Sequence, residues 1–285
     1  MIVALVLFSA LLHATWNALL RMEKDKDRSL VAAVSVATLL AAIVAAIRWA
    51  LEEPPFATTE SAIWTVAAGV LEWMYFASLA KALDKGPLGP VYTVSRGGAI
   101  LVVWPVSVGL LGETITTTSA IGSAVVLAGL ALTSVGVNPT ARAARKDALA
   151  WAAACAVAIA GYHLAYKEAL RTGGSASAVF AVALAVASAI NIVRLGTEGR
   201  RVAAGIIRTR PGRVLLMGAI CGGSFLILME ALAAGGAGYV LTLRNTSVLF
   251  AIGLAALIGE RPRRAEISGA VLVAAGAVLM AWPTT

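Results

Sequence analysis

The chain has 285 residues, 60% hydrophobic and 13% charged, with a net charge of +8 and a mean hydropathy of +0.87. Soluble domains carry about 25% charged residues, so this chain lacks the polar surface of a water-soluble globule and is too apolar to be disordered. Two cysteines, Cys155 and Cys221, and two distant histidines, His13 and His163, exclude a disulfide scaffold and a zinc cluster.

Ten apolar runs are read in chain order, at residues 2–20, 29–51, 61–83, 88–111, 115–137, 148–170, 175–196, 213–234, 238–259 and 265–282. Crossing roughly 30 Å of hydrocarbon takes about 20 mostly apolar residues. Backbone polar groups in the bilayer must pair within the chain, so each run is expected to be a helix. A β-barrel would instead alternate over short segments. The first run has no basic leader, and His13, Trp16 and Asn17 stand where a signal-peptide cleavage site needs small residues, so it is read as a mature helix.

The loops punctuate these runs. Gly86-Pro87-Leu88-Gly89-Pro90 separates the third from the fourth, and Gly235-Gly236-Ala237-Gly238 the eighth from the ninth. The stretch from Arg194 to Arg213 carries six arginines and is expected to be a solvated cytoplasmic loop. Basic residues in short loops suit an anionic membrane surface, and no nucleic-acid partner is expected. Loops one–two, three–four, five–six, seven–eight and nine–ten hold eighteen Lys and Arg, against three on the other side. The positive-inside rule then places both termini outside an inner (plasma) membrane.

The sequence contains two copies of one unit. A shift of 147 residues lays 1–138 over 148–285 without a gap, leaving a linker at 139–147. Gly89 then meets Gly236, Tyr92 meets Tyr239, and Gly112-Glu113 meets Gly259-Glu260. Gly122 and Gly129 meet Gly269 and Gly276. Each unit has five spans, an odd number, so the second must enter the membrane inverted relative to the first. Inverted repeats around a midplane site recur in secondary transporters. The expected fold is therefore an all-α membrane protein of ten transmembrane helices built as two inverted five-helix repeats.

These features, with the opening Leu12-His13-Ala14-Thr15-Trp16-Asn17-Ala18, resemble the EamA type of the drug/metabolite transporter superfamily over essentially the whole chain. The resemblance implies export of amino acids or related metabolites. It is diagnostic of the superfamily and weak for substrate. Many relatives carry a proline near the middle of helices four and nine; here those positions are Ala99 and Thr246, and Pro105 lies lower in helix four. Some relatives also place both termini in the cytoplasm, against the charge count here.

Ionisable side chains at membrane depth usually face a cavity or a partner. Glu72 lies mid-span, with Tyr75 and Phe76 on its face. Low dielectric disfavours a charged carboxylate, which makes Glu72 a candidate proton switch; the alternative is a structural partner for Arg96 or Arg244. Arg96, with Tyr92 one turn before it, and Arg244, beside Asn245, occupy nearly equivalent places in the two halves. Guanidinium grips carboxylate or phosphate bidentately, so both are candidate anchors for an anionic substrate group. Salt bridges to Glu72 and Glu230, or snorkelling, are the alternatives.

His13, Trp16 and Asn17 share one face of the first helix, and Trp16 aligns with His163, which Tyr162 precedes. These faces, with Tyr239, are candidate walls of one central cavity for a small organic ligand; helix packing is the alternative. No cofactor or metal is implied, no nucleophile–base set is visible, and the glycine runs are not phosphate loops. The chain is expected to be a monomer or weak dimer that exports small metabolites, foremost amino acids. Exchange of phosphate- or phosphonate-bearing anions and a non-transporting assembly role are the alternatives.

Overall fold

The computed structural model describes residues 2–51, 54–111, 116–133, 142–234, 240 and 243–280. Eleven helices are named among them: α1 (Ile2–Arg21), α2 (Lys26–Ala50), α3 (Thr59–Lys85), α4 (Leu88–Leu111), α5 (Thr117–Thr133), α6 (Arg142–Arg171), α7 (Ala176–Arg194), α8 (Gly196–Thr209), α9 (Pro211–Ala234), α10 (Ser247–Leu257) and α11 (Arg264–Met280). Six of them, α1, α2, α3, α6, α7 and α9, contain stretches long and apolar enough to cross a membrane. Helices α4, α5, α10 and α11 stand where the other four spans were expected. The Gly235–Gly238 punctuation, Tyr239, Gly112-Glu113 and Trp282 lie outside the described residues.

Local chemistry sets the helix ends. Asp25 caps α2 by accepting from the Arg28 N–H at 3.0 Å, and Thr58 caps α3 by accepting from the Ser61 N–H at 3.1 Å. Ser175 does the same for α7 through the Ala178 N–H. Each cap satisfies a donor that the first helical turn leaves free.

Packing pairs helices between the two halves. Helix α3 lies along α6 and α1 along α9, while α5 packs on α11 and α2 on α7. Small residues permit the close approaches. A Cβ on Gly69 would stand 2.6 Å from the Ala183 carbonyl oxygen, and one on Gly218 2.7 Å from that of Ala33. The same role is expected from the sequence for Gly97-Gly98, Gly222-Gly223 and Gly253. A Cβ on Gly97 would meet Val273 at 2.7 Å, one on Gly98 Ala156 at 3.0 Å and one on Gly222 Ala37 at 3.4 Å, whereas Gly223 and Gly253 face open space.

Ion pairs collect at one end of the bundle. Arg21 pairs with Glu260 at 2.8 Å, Lys85 with Asp147 at 3.3 Å, and Arg194 with Asp27 at 2.5 Å. Glu23, nearly buried, accepts from Arg213 and lies 3.6 Å from Arg210. Glu260 also accepts from the Leu88 N–H at 2.9 Å, which ties α1, α4 and the turn after α10 together. At the opposite end Arg48 pairs with Glu230 at 2.6 Å, and the Ala57 N–H donates to the Gly173 carbonyl at 2.9 Å.

The stretch expected to be a solvated loop is corrected by the structure: residues 196–209 form α8. The reason is periodicity. Gly199 and Ala203 are one turn apart and buried, Ile206 continues that face, and Arg200, Arg201 and Arg208 fall on the other.

A buried arginine–histidine–tyrosine centre

His13 sits at the middle of the described bundle. One-turn spacing on α1 puts Trp16 and Asn17 beside it. Trp16 Nε1 donates to His13 Nδ1 at 3.4 Å, and Asn17 Nδ2 donates to the His13 carbonyl at 2.7 Å. Arg96, carried by α4, places Nη2 against His13 Nε2. Arg244, just ahead of α10, places Nη2 3.0 Å from His13 Nδ1. Its Nη1 donates to Ser9 Oγ and, at 3.2 Å, to the Ser224 carbonyl. The Tyr75 hydroxyl lies 3.4 Å from His13 Nε2. Every one of these side chains is buried.

Aromatic rings enclose the three groups. The His13 ring lies 5.2 Å from Phe225, 6.2 Å from Tyr92 and 6.5 Å from Tyr75. The Arg244 guanidinium stands 5.0 Å from the Phe225 ring centre, and that of Arg96 5.9 Å from the Tyr92 ring centre. Ring faces carry negative potential, so both contacts favour the cations. Tyr162 extends the wall, with its ring 5.5 Å from Tyr75, 4.3 Å from His163 and 5.6 Å from Tyr166. The Tyr166 hydroxyl donates to Glu72 Oε2 at 2.9 Å.

The arginines do not have the carboxylate partners considered as an alternative. Among the described residues no Asp or Glu lies within 4.0 Å of Arg96 or Arg244. Glu72 faces Tyr166 across the α3–α6 packing, and Glu230 reaches Arg48 at the bundle end. What remains is a shortage of acceptors. A neutral imidazole has one acceptor nitrogen, and its other nitrogen bears a hydrogen. Two guanidiniums point at the two nitrogens of one ring, so His13 satisfies one of them at a time.

Other polar atoms share this condition. Asn17 Oδ1, Glu72 Oε1, Tyr92 OH, Tyr162 OH, His163 Nε2 and Arg244 Nε are buried without a hydrogen-bond partner among the described residues. All six belong to side chains singled out from the sequence; Arg28 Nε, Trp73 Nε1 and Ser247 Oγ share the condition. Buried polar atoms are ordinarily paired. Of the remaining candidates, Asn245 is buried next to Arg244, while Tyr239 lies outside the described residues. Ser9, Ser224 and Phe225 were missed. Ser9 is one turn before His13, a signal that was readable; nothing in the sequence marks the other two. Among the described residues no group of three His, Cys, Asp or Glu converges to hold a metal ion.

Comparison with known proteins agrees with this architecture. Residues 147–282 match the family model of the EamA-like transporter family. No curated protein matches the chain. A solved crystal structure superposes with a TM-score of 0.58 at 18% identity, covering 97% of this chain and 94% of its own, which is a likeness of fold. Residues 147–282, just under half of the chain, are thus similar to the EamA-like transporter family, of the drug/metabolite transporter superfamily, and the six long apolar helices are those of a multi-pass membrane protein.

Proposed function

We propose that this protein exports small metabolites bearing a carboxylate, amino acids first among them, across the inner membrane by alternating access. The observation that carries the reading is the pair Arg96 and Arg244 set on opposite nitrogens of His13 with no acidic partner among the described residues. A carboxylate offers about four lone-pair sites, enough to accept from both guanidiniums at once. The tyrosine and phenylalanine rings form the apolar remainder of such a site.

The two arginines come from the two halves of the sequence. The reading takes residues 1–138 and 148–285 as inverted five-helix repeats that rock about the site, with both termini outside. The reciprocal packing of α3 on α6 and α1 on α9 supports it, since the 147-residue shift exchanges these two pairs. Glu72 is the proton-coupling group in this scheme: a mid-span carboxyl whose one described partner is the Tyr166 phenol.

Two adjacent guanidiniums also suit a phosphate or phosphonate, which is the second reading. Purified protein in liposomes decides between them. Uptake of a labelled amino acid without ATP supports the first, and inhibition of uptake by inorganic phosphate the second. Absence of flux across a broad metabolite panel contradicts both.

A further inference from the structure

We propose that α8 is an interfacial helix that binds the phosphate headgroups of anionic lipids through Arg200, Arg201 and Arg208. The proposal rests on α7 and α9 spanning the membrane and not on the identity of the transported solute. Gly196 adopts φ +64°, a left-handed conformation that suits glycine and turns the chain out of α7. Fourteen residues of helix then run before Pro211 opens α9. The helix packs mainly on α2, and Gly199 and Ala203 are its buried residues.

The rest of α8 is two-faced in a way that this packing does not explain. Arg200, Arg201 and Arg208 are exposed together along one side. Val202 and Ile207 flank the buried strip and are each 37% exposed. Exposed Val193 at the end of α7 and exposed Leu215 and Leu216 at the start of α9 continue this apolar border on both adjoining spans. A soluble helix has no use for apolar flanks beside a basic face, whereas one lying at the headgroup boundary places both in their preferred surroundings.

Charge selects the lipid. Near Arg201 the one described acidic partner is Glu198 at 3.4 Å, and both side chains are largely exposed. Arg200 donates to the Gly196 carbonyl at 3.0 Å and Arg208 forms no described ion pair, so cationic charge is left facing outward. The other arginines of this stretch are occupied: Arg194 pairs with Asp27, while Arg210 and Arg213 approach Glu23. Each basic residue held at an anionic surface strengthens attachment roughly fivefold, so three arginines discriminate clearly between anionic and zwitterionic bilayers.

The test uses the full chain in nanodiscs, with an environment-sensitive fluorophore on a single introduced cysteine at Ile207 or, separately, at Ala204. The native Cys155 and Cys221 are buried and are replaced by alanine as a precaution. In phosphatidylglycerol-containing discs the Ile207 probe should shift to the blue and be quenched by acyl-chain spin labels, while the Ala204 probe stays water-like. Pure phosphatidylcholine discs, or the variant R200Q/R201Q/R208Q, should lose most of the shift. The matching lysine triple variant should keep it, which separates charge from folding. Equal emission in both lipids, or a shift indifferent to the glutamine substitutions, overturns the proposal.

Discussion

Gly122 on α5 and Gly276 on α11 close on one another. A Cβ built on Gly122 would lie 2.7 Å from the Gly276 carbonyl oxygen, and one on Gly276 would lie 2.6 Å from that of Gly122. Gly129 and Gly269 repeat the relationship at 2.7 and 2.6 Å. The 147-residue shift carries Gly122 to Gly269 and Gly129 to Gly276, so it turns one contact into the other. Two antiparallel helices related by a two-fold axis pack in this way, and the inverted-repeat reading draws support from it.

The glycine contacts give the first expected outcome. Gly122→Ala or Gly276→Ala pushes a methyl group into backbone, which cannot move aside as a side chain would. Overpacking of this kind costs about 1–3 kcal/mol. Thermal unfolding in detergent should show a lowered Tm for each. The double variant should lose less than the sum, because one separation of the helices relieves both contacts.

Removing either arginine charge should affect ligand binding and stability in opposite directions. Hydrogen bonds to charged groups contribute about 1.5–3 kcal/mol, so Arg96→Gln or Arg244→Gln should weaken carboxylate binding roughly 10- to 150-fold. A buried cation without an acidic partner is costly in the unliganded protein. The ligand-free Tm should therefore hold or rise. A fall in Tm without loss of affinity would assign these residues to packing alone.

His13 is the side chain that both arginines share. In His13→Ala the guanidiniums lose that acceptor, and an added carboxylate ligand becomes their main partner. The rise in Tm produced by a saturating carboxylate solute should be larger than in the unsubstituted protein, since ligands that bind only the native state stabilise it by mass action. An unchanged rise would remove His13 from the binding centre.

Glu72 carries the coupling prediction. Glu72→Gln keeps the hydrogen bond from Tyr166 through its amide oxygen but has no exchangeable carboxyl proton. Counterflow of labelled for unlabelled solute should persist, and acceleration by an imposed pH gradient should disappear. Gradient-driven transport that survives the substitution assigns coupling elsewhere.

Much of this was legible in the sequence, because hydrophobic length and one-turn spacing are local signals. The run at 2–20 and the triad His13, Trp16 and Asn17 came directly from them, and both reappear in α1. The six-arginine stretch looks like a loop in sequence because its charge count hides a narrow apolar strip of Gly199, Ala203 and Ile206. The partners of Glu72 and Glu230 were open in the sequence, since only tertiary packing decides that Glu72 meets Tyr166 and Glu230 meets Arg48. Ser224 and Phe225 sit in an apolar run with no periodic cue, and only the crossing of α9 over α1 brings them to His13 and Arg244.

The most direct test of the inverted arrangement is the sidedness of the two halves. Reporters active on one membrane face only are fused behind Gly136 and, in a second fusion, behind Trp282. The account predicts opposite faces, with the first reporter in the cytoplasm and the second outside. Both reporters on one face would contradict it.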